Sequence, residues 1–162
     1  MAVDTSKVTD RRALSFATLA DVVVDAERIA ASDRAGTLRR TGNWTAAQIL
    51  NHVSSFMEFP FDGYPPELAS PPWFVKLIMK FMKGKYLKGL PAGVSIPRIP
   101  GGTVGAVDGP IDLALARFKK AAQRMEKTPP AIPNPIFGPI THQEWVQLQC
   151  LHAQLHFSFL HP

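Results

Sequence analysis

Fifteen prolines, most of them gathered at 60–72, 91–110 and 129–139, divide this chain into stretches that can be helical and connections that cannot. Proline removes a backbone donor and clashes with the preceding helical turn, so each cluster is a stiff break between regular elements. What lies between the clusters carries helical periodicity. The pattern predicts four helices of about 15 to 20 residues and no convincing strand.

Two of the helix starts are spelled out locally. In Gly42–Leu50, GNWTAAQIL, Thr45 can cap the helix, Gln48 can reach back to complete a capping box, and Trp44 with Ile49 forms a hydrophobic staple. ITHQEW repeats the device with Thr141, Glu144, Ile140 and Trp145. The first helix is expected over Ala17 to Ala31, with Leu19, Val22, Val23 and Ile29 as its apolar stripe. The second buries Ile49, Val53, Phe56 and Met57 and ends near Pro60. The third begins near DGPID with Asp108 as cap, and Ile111, Leu115, Phe118, Ala122 and Met125 form its seam. In the fourth, Trp145, Leu148, Leu155 and Phe159 face inward with His152 in register. The expected fold is all-α: one domain over 1–162, a four-helix bundle with a long insertion, about 62–107, between helices two and three. The insertion begins with a short helix, PPWFVKLIMKFMKGK, whose Phe74, Leu77, Ile78 and Phe81 are expected to cover the bundle or a second subunit. Gly- and Pro-rich chain follows it.

A composition of 46% hydrophobic and 19% charged residues belongs to a folded globular protein. The net charge of +5 is not spread over the surface, because Leu68 to Val107 holds five lysines and Arg98 with no acid. Lysines 76 to 88 could meet an anionic small molecule or a membrane surface. No nucleic-acid motif accompanies them, so no nucleic-acid partner is expected. No stretch is long and apolar enough to span a membrane and the N-terminus lacks a signal-peptide run, so the expected compartment is the cytoplasm. With Cys150 as the single cysteine, any metal must be held by His and carboxylate.

His152 and His156, four apart on the last helix, lie about 40° apart around the helix axis and can share one metal ion. His52 sits three residues after Ile49 and four before Phe56, on the inner side of helix two. Two inward imidazoles need partners, and the residues alone leave two readings: a shared metal, or a carbonyl or water for each. His142, just after a cap, and His161, beyond the last apolar anchors, are not expected to be ligands.

The motifs W-T-x-x-Q-I-L-x-H (Trp44–His52), P-I-F-G-P-I-T-x-x-E-W (Pro135–Trp145) and H-x-x-x-H (His152–His156), in that order, resemble the DinB-like superfamily. The resemblance covers most of the chain. It implies a four-helix bundle holding a divalent metal through His52, His152 and His156, with Zn²⁺ or Ni²⁺ as the expected ion, and a hydrolase or a thiol-dependent transferase acting on a small, anionic or thiol-containing molecule. A homodimer is expected, and the alternative to an enzyme is a non-catalytic helical bundle, metal-stabilised or metal-free, that acts through dimerisation or surface interactions. The chain departs from the resembling branch at Asn134, where His is usual, at Leu155, the first position of an HH pair, and at Phe159, where Gln is common. No carboxylate accompanies the histidine pair, since Ala153 stands where zincins carry their glutamate base. Glu58 falls off the His52 face and Glu144 belongs to a capping box, which leaves Asp62 and Tyr64 as the nearest expected bases. Cys150, about 200° from His152 around the helix, is expected in the core facing away from the metal.

Overall fold

The computed structural model describes residues 3–69, 72–93 and 103–162, without the side chain of Lys76. The expected Gly- and Pro-rich stretch is thus described only at its ends, and Arg98 lies outside the described residues. The described residues form six helices: α1 (Leu19–Arg34), α2 (Ala46–Asp62), α3 (Pro66–Ala69), α4 (Trp73–Tyr86), α5 (Ile111–Lys127) and α6 (His142–Phe157). Two short strands, β1 (Arg39–Arg40) and β2 (Leu160–His161), pair antiparallel, Arg39 opposite His161. The strand pair escaped the sequence pattern because two residues carry no periodicity.

Helices α1, α2, α5 and α6 share one core in which Phe118, Phe157, Leu50, Ile29, Met57 and Met125 are fully buried. Three starts are closed by capping boxes: Thr18 with Asp21, Thr45 with Gln48, and Thr141 with Glu144. The first of these places the start of α1 at Leu19, two residues later than expected. Asp108 does not cap α5; the cap position is Pro110 with no side-chain bond, and Asp108 Oδ1 instead accepts from the Thr45 hydroxyl at 2.7 Å. The chain leaving the insertion is thereby fastened to the start of α2.

Pro60 lies inside α2, which continues to Asp62. A proline there deprives the Phe56 carbonyl of its helical donor, and Gln149 Nε2 of α6 supplies one at 3.1 Å. The buried side of α6 is Trp145, Gln149, Cys150, Ala153 and Phe157, so Leu148 and Leu155 flank the core rather than fill it. Small side chains and a polar one occupy the innermost positions, and a search for large apolar residues alone passes over them.

Of the two covers expected for the apolar side of α4, the bundle is not the one it meets. Val75, Met79, Met82 and Tyr86 turn toward the body, while Trp73, Phe74, Leu77, Ile78 and Phe81 are exposed. The helix is apolar on two sides, and its ties to the body decide between them: Lys83 pairs with Glu144 at 2.7 Å, and the Leu87 carbonyl accepts from Gln147 at 2.7 Å.

Candidate metal centre

His52 comes from the second turn of α2, and His152 and His156 come from the last two turns of α6. Their Nε2 atoms converge: His152 Nε2 stands 3.1 Å from His52 Nε2 and 3.1 Å from His156 Nε2. Together the three offer one ligand atom each within a 4.8 Å group that could hold a metal ion. Three imidazole nitrogens on one ion at about 2.0–2.1 Å are separated by roughly 3–3.4 Å, and the His52–His152 and His152–His156 pairs already stand at that spacing.

The hydrogen-bond inventory explains why this arrangement suits a cation. His52 Nδ1 lies 2.8 Å from the Val104 carbonyl, which can only accept, so that nitrogen carries the proton and Nε2 of a neutral His52 is a bare lone pair. His152 Nε2 faces two nitrogens but can carry only one proton. Neutral imidazoles therefore cannot make both 3.1 Å contacts well-aligned hydrogen bonds, whereas a divalent ion would take a lone pair from each of the three rings.

The surroundings keep the rings neutral. Burial pushes the His52 imidazole down to about 4, with the Val104 bond opposing the shift. It drives His152 and His156 well below their ordinary value, with mutual repulsion among the three adding to the effect on His152. At His156, repulsion from His52 and from the Arg11 guanidinium adds to burial. Aromatic rings form the walls. Trp44 stacks on His156 with centroids 5.4 Å apart and an angle of 14°, and Phe56 lies 4.8 Å from His52 and 4.9 Å from His152. His52 is buried, 2% exposed, whereas His152 and His156 are partly open to solvent.

The Val104 carbonyl is brought in by a glycine. Gly105 has φ +80°, and a Cβ there would stand 2.6 Å from Ser55 Oγ and 2.7 Å from Ser55 Cβ. Only a bare backbone allows the chain to lie this close to α2 beside His52. Asn51 Nδ2 donates to the Val107 carbonyl at 2.9 Å and holds the same segment two residues further on. Arg11 closes the other end, donating through Nε to Ser158 Oγ (2.9 Å) and through an Nη to the Leu155 carbonyl (3.2 Å).

Asp62 and Tyr64, the expected bases, are not brought to the histidines. Both oxygens of Asp62 accept from Arg124 (2.8 and 2.9 Å), and Tyr64 reaches the site only through two intervening rings, Phe59 and then Phe56. Burial also raises Tyr64, keeping the phenol protonated. Glu58 pairs with Arg117 at 2.6 Å, and Glu144 serves its cap and Lys83. His142 Nε2 meets the Met125 carbonyl at 2.6 Å, and His161 lies in β2, 3.8 Å from Asp10, so neither joins the triad. Cys150 is buried in the core with its thiol pushed up to about 11.

A family model described as a protein of unknown function, DUF1569, matches residues 8–162. The chain belongs to that family. All three histidines, Arg11 and the Val104–Gly105 support fall within the matched DUF1569 region. No curated protein and no solved structure gives a match.

In the metal-free protein the depressed histidines make stability depend on pH. A group whose folded value is about 4 and whose unfolded value is about 6.5 binds more protons when unfolded, so its contribution is complete above pH 6.5 and is lost as the pH falls toward 4. His52 alone gives a slope of up to roughly 1.4 kcal/mol per pH unit across that window, with His152 and His156 acting in the same direction. The urea midpoint of the metal-free protein should fall markedly between pH 7 and pH 5. A midpoint constant over that interval would show that the imidazoles titrate normally.

Proposed function

We propose that this DUF1569 protein is a DinB-like four-helix-bundle metalloprotein that uses a divalent ion, Zn²⁺ or Ni²⁺, as hydrolase or thiol-dependent transferase. The observation that carries the reading is the convergence of His52, His152 and His156 Nε2 with the His52 tautomer fixed by Val104. Three neutral nitrogen ligands leave room for a further ligand, the pattern of a catalytic rather than a sealed site. Imidazole suits both ions.

A divalent ion so held would supply Lewis acidity, lowering the pKa of a water or thiol brought to it. The protein's own residues supply the rest. Trp44 and Phe56 line the site with apolar rings and lower the local dielectric, so charge there is felt more strongly than in water. Arg11, whose charge is felt at His156, favours an anionic small molecule such as a carboxylate-bearing thiol. No acidic residue joins the three histidines among the described residues, which favours a nucleophile that needs no protein base to deprotonate it. The compartment we assign is the cytoplasm, where the free thiol of Cys150 would stay reduced.

Cobalt-loaded protein tests this reading. Addition of a small carboxylated thiol should produce a sulfur-to-metal charge-transfer band, and an Arg11→Gln variant should need several-fold more thiol to reach half its intensity. If neither thiols nor activated esters perturb the cobalt spectrum or are turned over, the enzymatic reading is wrong and the metal is structural.

A further inference from the structure

The outward side of α4 carries five large apolar residues in one stripe: Trp73, Leu77 and Phe81 at successive four-residue steps, flanked by Phe74 and Ile78. Trp73 is 77% exposed and Phe81 82%, and the other three are each at least half exposed. Val3, Val24, Val107 and Leu113, the other strongly exposed apolar residues among those described, lie apart from the stripe in sequence on other segments. The opposite side, Val75, Met79, Met82 and Tyr86, is the more buried one, and Tyr86 meets Phe137 with centroids 5.9 Å apart. Water thus meets an apolar face on a helix whose inner side is already satisfied.

Charge indicates the occupant. Lys80, Lys85 and Lys88 are exposed around this face, and Leu68 to Val107 contains no acidic residue. Two copies joined through it would press like charges together, whereas an anionic bilayer surface would attract them. Aromatic and leucine side chains on one face with lysines at its edges are the composition of helices that lie in the headgroup region. No helix among the described residues is long and apolar enough to cross a membrane, and α4 has only 14 residues, so the geometry is in-plane.

We propose that α4 docks the protein on an anionic lipid surface, with Trp73, Phe74, Leu77, Ile78 and Phe81 inserted among the headgroups and Lys80, Lys85 and Lys88 meeting lipid phosphates and carboxylates. This surface is separate from the histidine site, so the proposal stands or falls independently of metal binding.

Sedimentation of the full chain with vesicles tests it. The protein should pellet with phosphatidylcholine–phosphatidylserine vesicles and remain largely in solution with phosphatidylcholine alone. Binding should weaken with salt, and the emission of the exposed Trp73 should shift to the blue. Each lysine near an anionic surface contributes about fivefold, so joint reversal of Lys80, Lys85 and Lys88 to Glu should reduce binding at least about a hundredfold. Trp73→Ser combined with Phe81→Ser should lower it at least about tenfold with the helical circular dichroism unchanged. The proposal is overturned if wild type binds neither vesicle, if both variants bind as wild type does, or if Phe81→Ser dissociates a dimer that shows no affinity for lipid.

Discussion

Replacing His152 with Ala should weaken divalent-metal binding by several hundredfold or more. Metal binding to a small set of protein ligands is worth roughly 10–16 kcal/mol in peptides, so one ligand of three or four accounts for about 3–4 kcal/mol. His152 is the sharpest choice because its Nε2 lies 3.1 Å from both other ligand atoms. The same change in the metal-free protein should have a different signature. It removes a strongly depressed imidazole, so the loss of stability between pH 7 and pH 5 should become shallower. Competition against a chromophoric chelator measures the first effect and urea titration the second. His142→Ala and His161→Ala serve as controls and should leave affinity within about twofold, since neither side chain reaches the triad. If either control abolishes binding, the ligand set is wrong.

The second large effect is expected at Gly105, which touches no metal. Alanine there meets Ser55 at 2.6–2.7 Å and adopts a positive φ, so either the chain withdraws from α2 or strain is stored. Withdrawal takes the Val104 carbonyl from His52 Nδ1, and loss of such an orienting partner typically costs about 10–100-fold in metal affinity. Stability should drop by about 1–3 kcal/mol at the same time. Ser55→Gly removes the clash but not the backbone strain, so the double variant should recover part of the affinity. Should Gly105→Ala bind metal as wild type does while unfolding earlier, the Val104 bond would be structural only.

The legibility of these features in the sequence follows their range. The capping boxes at Thr45 and Thr141 are complete within a few residues, and both helix starts fall where the sequence sets them. His52, His152 and His156 could be matched because each lies on a helical face of definite phase, and helical phase is a local property. The supports are another matter. Val104, Gly105 and Arg11 sit in irregular chain whose contacts are 50 to 147 residues distant, and nothing in their neighbours announces which carbonyl or guanidinium will reach the site. Trp44 reads in the sequence as a staple and as the start of a motif, and neither announces that its ring covers His156. The orientation of α4 illustrates a different limit. A helix apolar on two sides has no unique inner face by periodicity, and the Lys83–Glu144 and Leu87–Gln147 ties that decide it join residues about 60 apart. Asp108 misled for a related reason: it precedes a helix in a typical cap position, but the Thr45 hydroxyl offers it a partner 63 residues away.

The account rests on one claim, that His52, His152 and His156 bind a single divalent ion. Elemental analysis of protein purified without a polyhistidine tag, coupled to thermal unfolding with and without added Zn²⁺ or Ni²⁺, tests it most directly. The predicted result is about one ion per chain in wild type and none in His152→Ala, with a melting temperature that rises on metal addition only in wild type. Wild-type protein that carries no stoichiometric metal, and whose melting temperature is indifferent to both ions, would contradict the claim.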